Sequence, residues 1–270
     1  PNSKYNKKHP VKVLNLMDMT SGLSVSGFQG YSKSRSVPTS IQLLNGSGPA
    51  NNQPIKPFYI PGTKYFYSGG AFQVLQHVIS SVTGKPFNKW MNDNVLKKLN
   101  MKHSIFQYPL NDKAYLKKAI PGFVGWGQPK EIPGGWHNYK CSGACGLWST
   151  PSDLALFAIN ISKSLNGKGL IKSSLAHEML SRKPNTDFGL GVVVNGEGKS
   201  LYFWKAGHNL GYHSLMIMFP NIGKGLVIMT DSESGDSLIR YMTAIIAKKY
   251  NWPYYFPFFD ELIKTPFYKN

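Results

Sequence analysis

PGTKYFYSGGAF, residues 61–72, decides how this chain is read. An apolar-aromatic run, Tyr65 to Tyr67, stops at Ser-Gly-Gly, and a long helical pattern begins behind it. Leu75, Val78, Ile79 and Val82 recur at helical spacing, and Gly84 then Pro86 end the run. Glycines suit such a break. A side chain at the break is held by two elements and can still reach a cleft. The residues in question are Tyr67 and Ser68. Ser68 reads first as a turn or helix-capping residue.

Outward from this corner the chain divides unevenly. Residues 1–65 show little periodicity and contain SGLSVSGFQGYSKS and LNGSGPANNQP, which read as long loops around short elements. After Pro86 a second helix sets Phe87, Trp90, Met91, Val95 and Leu96 on one face, with Lys97 and Lys98 at its end. Residues 104–145 are irregular. In GLWSTPSDLALFAINI, Thr150 is a good N-cap, Pro151 fits the first helical position and Asp153 gives a capping-box-like pattern. This helix runs to about Leu165, and a shorter one follows near 172–181. After Pro184 the period becomes two. FGLGVVVN, LYFWKAG, SLMIMFP and GKGLVIMTD read as four strands of an antiparallel meander. A last helix, about Ser237 to Tyr250, presents Leu238, Ile239, Met242, Ile245 and Ile246 and must cover the sheet. The division expected is a helical, loop-rich part over 1–184, strands and a C-terminal helix over 185–252, and a tail over 253–270.

The chain has 270 residues, 41% of them hydrophobic, enough for a real core in one large domain or two closely packed ones. No stretch reaches the 18 or so apolar residues of a membrane-spanning helix. No signal peptide is visible, so Pro1 reads as a processed or truncated end. The net charge is +18. The lysines come as scattered pairs, such as Lys7-Lys8 and Lys248-Lys249, and no nucleic-acid-binding motif accompanies them. A solvated basic surface is the plain reading, and anionic wall polymers would be drawn by the same charge. Cys141 and Cys145 lie in CSGAC, too few for a cysteine-rich metal site, and read by default as free thiols, with a disulfide across so short a loop as the less favoured alternative. None of the seven histidines forms an HExxH or a CxxC…H pattern. His208 and His213 read as loop or strand polar residues. Trp136-His137, after a Gly-Gly turn, is a candidate cleft lining.

PGTKYFYSGG, GACGLWSTPSDLALF and WKAGHNLGY stand in this order behind MDMTSGLSVSGFQGY. Together they resemble the serine hydrolases of the β-lactamase and penicillin-binding-protein superfamily, in the branch with class C β-lactamases and related esterases. The resemblance covers roughly residues 11–255. It implies an α+β, β-lactamase-like fold: an antiparallel sheet flanked by helices, plus a mostly helical subdomain. In that family a Ser-x-x-Lys supplies nucleophile and lysine, a Tyr-x-Asn corner supplies a proton-exchanging tyrosine, and a Lys-Thr-Gly or His-x-Gly strand lines the other wall. A serine hydroxyl needs a base within hydrogen-bond reach. Tyrosine, with a reference pKa of about 10, serves only where cations favour its phenolate.

The resemblance assigns Tyr67 as the proton shuttle and Lys205 as the cation beside it. Ala206, Gly207, Ser68 and Gly69 become substrate-lining candidates, and the His208 N–H a candidate oxyanion donor. Two departures stand out. Gly69 replaces the asparagine of the corner, and Ala206 replaces the threonine of the strand. Moreover, no serine in the chain has a lysine three positions on. The expectation is a hydrolase of esters, β-lactams or peptides whose nucleophile-bearing N-terminal segment is missing from this chain, a fold that would expose apolar surface unless something replaces the missing part. The competing expectation is a binding or regulatory relative that uses the same cleft without turnover. The partners implied are a small-molecule or peptidoglycan-like substrate and that N-terminal segment. No metal or organic cofactor is implied. An exported, periplasmic or cell-envelope location follows from the family.

Overall fold

A computed structural model describes Tyr5, residues 8–184 and residues 186–253. Of the tail expected over 253–270, all but Pro253 lies outside the described residues. Helices α1 (Val13–Met17), α2 (Ser40–Asn45), α3 (Gly69–Thr83) and α4 (Phe87–Met91) come first. The short pieces β1 (Ile105–Phe106), α5 (Lys113–Leu116), β2 (Phe123–Val124), β3 (Lys130–Glu131), α6 (Ser142–Cys145) and β4 (Leu147–Trp148) follow. Then come α7 (Pro151–Leu165), α8 (Ser173–Met179), strands β5 (Val193–Asn195), β6 (Tyr202–Asn209), β7 (Tyr212–Phe219) and β8 (Lys224–Thr230), and α9 (Gly235–Lys249).

The last four strands form one antiparallel sheet in chain order, the meander expected from the period of two. Alternation splits its side chains between two layers. Phe203, Met216 and Met218 pack with Ala158 and Ile161 of α7, whereas Ile217 and Phe219 pack with Ala247 of α9 and with Trp252. Helices thus cover both faces.

Several elements differ from the sequence reading. FGLGVVVN is not one strand. Phe188 bridges back to Val193, Gly191 takes φ +82°, and a Cβ at Gly189 would strike the Met179 carbonyl. Only Val193–Asn195 pairs with β6. The helix from Phe87 changes at Asn92 into a π-helical turn that runs to Leu96. Its apolar face still packs, with Phe87, Leu96, Leu99, Met101 and Phe106 in one cluster. Thr150 caps α7 by accepting the Asp153 N–H. The Asp153 carboxylate does not return to the cap. It accepts from the His103 N–H and the Ser104 hydroxyl, each at 2.7 Å, and ties α7 to the segment before β1.

The last helix meets the sheet with smaller residues than expected. Ile239, Thr243, Ala244 and Ala247 are buried, and the alanines let α9 approach closely. Leu238 is 52% exposed, and Tyr241, Met242 and Ile245 line the same outer face. The expectation of free thiols is also overturned. Cys141 and Cys145 form a disulfide. They stand four apart on one helical turn, which brings their Cα atoms to 5.8 Å, within bridging range.

Candidate functional site

The corner at Tyr67–Gly70 is built against the segment MDMTSGLSVSG. Phe66 donates its N–H to the Met19 carbonyl at 2.8 Å, Gly69 to Ser26 at 3.0 Å and Gly70 to Val25 at 2.9 Å. The glycine pair, unremarkable in sequence, has a steric cause. A Cβ on Gly69 would lie 2.9 Å from the Ser26 carbonyl oxygen, and one on Gly70 would lie 2.6 Å from that of Ser24. Opposite them, Met19 and Val25 adopt φ +61° and +71°. A β-branched residue in the left-handed region is strained, and such strain persists only where surrounding bonds hold it. The Gly70 N–H on the Val25 carbonyl is one of those bonds.

Ser68 is fully buried. Its hydroxyl accepts the Ala71 N–H at 3.1 Å, capping α3, and donates to the Ser24 carbonyl at 3.1 Å. Ser68 therefore faces the interior, and Gly69 is buried beside it. Both were expected among the substrate-lining residues, and the structure places both in the interior. Tyr67 remains half-exposed. Its ring lies 6.1 Å from that of Phe188 and borders a cluster with Met19 and Val193.

Lys205 comes from β6, far along the chain. Its ammonium donates to the Tyr67 hydroxyl oxygen at 3.1 Å and to the carbonyl of Ala206. Beyond Lys205, the strand offers Ala206, Gly207 and His208, all exposed. β5 pairs only with Tyr202–Trp204, so among the described residues no strand pairs with the outer edge of 205–209. The missing Cβ of Gly207 does not face that edge. It would point at Ser214 Oγ across the hairpin, 2.8 Å away, so the glycine serves β6–β7 packing.

The hairpin tip is fastened from behind. Asn209 Nδ2 donates to the Cys145 carbonyl at 3.0 Å, and the Leu210 N–H donates to the Tyr139 hydroxyl at 3.0 Å. Burial is the largest influence on Tyr139 and pushes its phenol up, so it stays neutral there. Trp136 stacks edge-on against Trp148 at 5.0 Å. His137 instead lines a depression of about 300 Å³ with Gln29, Gly30, Arg35 and Asn51. Tyr67 and Lys205 do not line it.

A family model described as Beta-lactamase matches residues 1–249. This chain belongs to the β-lactamase family. It is similar to a Salmonella typhimurium protein named as a D-alanyl-D-alanine carboxypeptidase, 23% identical over 225 residues, which are 73% of this chain and 50% of that protein. A protein of the same name from Escherichia coli K12 is 26% identical over 161 residues, 51% of this chain and 36% of its own length. The chain thus spans at most about half the length of these curated relatives.

Solved structures share the β-lactamase fold. The octameric penicillin-binding protein homologue from Pyrococcus abyssi matches with a TM-score of 0.67 at 17% identity, over 88% of this chain and 56% of that one. FmtA from Staphylococcus aureus matches with a TM-score of 0.66 at 17% identity, over 91% of this chain and 65% of that one. In a β-lactamase-family chain, the Tyr67–Lys205 contact joins two segments that the sequence motifs alone had paired. One charged group near the site escaped the sequence reading. Glu233, from the loop before α9, accepts the Gly211 N–H at 2.7 Å and meets His208 at 2.9 Å. Burial, the largest influence, pushes its carboxyl up. The Gly211 N–H and the two histidines together outweigh that and hold it below the usual range. No motif announces Glu233. Only the Leu210-Gly211 turn, read as a tight hairpin, would have placed its partners side by side.

Proposed function

We propose that this β-lactamase-family chain carries two walls of a serine acyl-transfer site, with Tyr67 as proton shuttle and Lys205 as its cationic partner. The observation that carries the reading is the 3.1 Å contact between Lys205 Nζ and Tyr67 Oη at the open end of β6. The contact puts a cation directly on the phenol oxygen that, in this reading, exchanges the serine proton. The serine comes from a Ser-x-x-Lys, which this sequence lacks. It attacks the substrate carbonyl, Tyr67 receives its proton and returns one to the leaving group, and water then releases the acyl group. The His208 N–H is assigned to the oxyanion, with substrate lying along Ala206 and Gly207 on the outer edge of β6.

The substrate class is an ester, β-lactam or amide. An amide of peptidoglycan type is favoured by the names of the relatives, which include D-alanyl-D-alanine carboxypeptidases and a D-amino acid amidase of Ochrobactrum anthropi. A cell-envelope or secreted location goes with such a substrate. Among the described residues no helix is long and apolar enough to cross a membrane.

The test begins with the coding sequence upstream of Pro1, searched for a Ser-x-x-Lys. The full product is then treated with a fluorescent penicillin and a fluorophosphonate. Covalent labelling is expected, and Tyr67→Phe should lower the acylation rate by about a hundredfold or more. Absence of both motif and label refutes the enzyme. That outcome favours the second reading, a binding relative, for which the missing Ser-x-x-Lys within these 270 residues is the motivating observation.

A further inference from the structure

The hairpin that bears Lys205 ends in a cluster that acyl transfer does not use. β6 and β7 are joined by Leu210-Gly211, with Gly211 at φ +75°. This tight turn sets His208 directly opposite His213. Their rings stack at 4.1 Å with 14° between planes. Glu233 closes the group from the loop between β8 and α9. One of its carboxylate oxygens lies 2.9 Å from His208 Nε2, and the other is held by the Gly211 N–H at 2.7 Å. One donor atom from each of the three side chains lies within 4.8 Å of the others.

One feature separates this cluster from an ordinary surface ion pair. His213 Nε2 is buried and has no hydrogen-bond partner among the described residues, so its lone pair or proton is desolvated with nothing in return.

We propose that His208, His213 and Glu233 form a binding site for one divalent transition-metal ion of the zinc class. Two imidazoles and one carboxylate suit zinc, cobalt or nickel, whereas magnesium and calcium demand mostly oxygen ligands. Zinc–nitrogen bonds of about 2.0–2.1 Å require donor atoms only about 3.3 Å apart. The cluster reaches that spacing by side-chain rotation, since the His208 side chain is 54% exposed. The same exposure leaves the fourth coordination position open to solvent, the arrangement of three protein ligands and one exchangeable site. Bound there, the ion links β6, β7 and the loop before α9, one residue from Gly207. It would stiffen the strand end assigned to substrate. Metal binding at this site does not depend on the acyl-transfer reading and is measured without any activity.

The test uses tag-free full chain, stripped with a chelator and titrated with Co²⁺ and then Zn²⁺. The expected result is one Co²⁺ per chain, seen as visible ligand-field absorption and displaced by Zn²⁺ but not by Mg²⁺. In NMR spectra, Zn²⁺ should move the imidazole signals of two of the seven histidines. His208→Ala and Glu233→Gln should each weaken binding by more than the roughly 10–100-fold that loss of an outer partner costs. Binding that is not one-to-one, that survives both substitutions, or that moves other histidine signals overturns the proposal.

Discussion

Replacing Ser68 with alanine tests whether the serine of the Tyr-Ser-Gly corner builds the site or belongs to its chemistry. In the structure its hydroxyl has two tasks and no solvent exposure. It caps α3 by accepting the Ala71 N–H, and loss of such a cap costs about 1 kcal/mol. It also donates to the Ser24 carbonyl, and a neutral bond of that kind contributes about 1 kcal/mol more. Ser68→Ala should therefore destabilise the chain by about 2 kcal/mol. For a domain of this size that lowers the melting temperature by roughly 4–8 °C. Urea unfolding followed by the fluorescence of the six tryptophans measures it. The midpoint should fall with an unchanged m-value, since the surface exposed on unfolding is the same. Ser81→Ala, on the exposed side of the same helix, serves as control and should stay within about 0.5 kcal/mol of the parent. A loss from Ser68→Ala no larger than that control would refute the capping argument. So would a full-length product that labels covalently, keeps its stability on this substitution and yet loses the label.

Gly70→Ala should cost about 1–3 kcal/mol in the same assay, because its Cβ would meet a backbone oxygen at 2.6 Å; an unchanged midpoint would mean the corner can open. Reduction of Cys141–Cys145 releases a closure of only four residues, so the chain-entropy model gives a loss of about 2 kcal/mol, visible as a lower urea midpoint in reductant. Burial lowers the pKa of His77 below its ordinary value near 6.5, so the unfolded chain takes that proton first. Stability is then full above about pH 6.5 and declines as pH falls below it, and His77→Gln should flatten the decline between about pH 7 and 5.5. Equal slopes in parent and variant would remove His77 from the acid response.

Periodicity exposed the large elements because burial on one side repeats with the backbone. α3, α7 and the meander are all visible in that way. It failed where neighbours outside the element decided. The run after Phe87 turns π-helical at Asn92, and Asn92 bonds both the N–H and the carbonyl of Phe106, a contact no local pattern encodes. FGLG folds back because Gly189 packs on the end of α8 and Gly191 can adopt positive φ. On α9, Leu238 and Ile239 are equally apolar in sequence, and only the sheet distinguishes them: Ile239 is buried, while Leu238 remains exposed. The disulfide was hidden because α6 is a single turn, too short for its period to show.

The site follows the same division. Tyr67 and Lys205 lie 138 residues apart, and no propensity or pattern links them. Their pairing was legible only through the order of motifs that resembles the family. What physics adds is an account of the strand edge beside the pair. β5 stops at the partner of Trp204, so among the described residues β6 runs on with one edge unpaired at the point where Lys205 reaches Tyr67. An unpaired strand edge invites another strand, and an extended substrate is one way to satisfy it. The hairpin tip is held by Asn209 on the disulfide loop and by Tyr139 under Leu210, so the edge is positioned before anything binds. Asn209→Ala should therefore loosen the wall while leaving the Tyr67–Lys205 contact chemically intact. Amide exchange at residues 206–209 should rise at least several-fold, because the removed bond anchors the strand end directly. Unchanged exchange there would mean that β7 alone fixes the wall and that the disulfide loop plays no part in it.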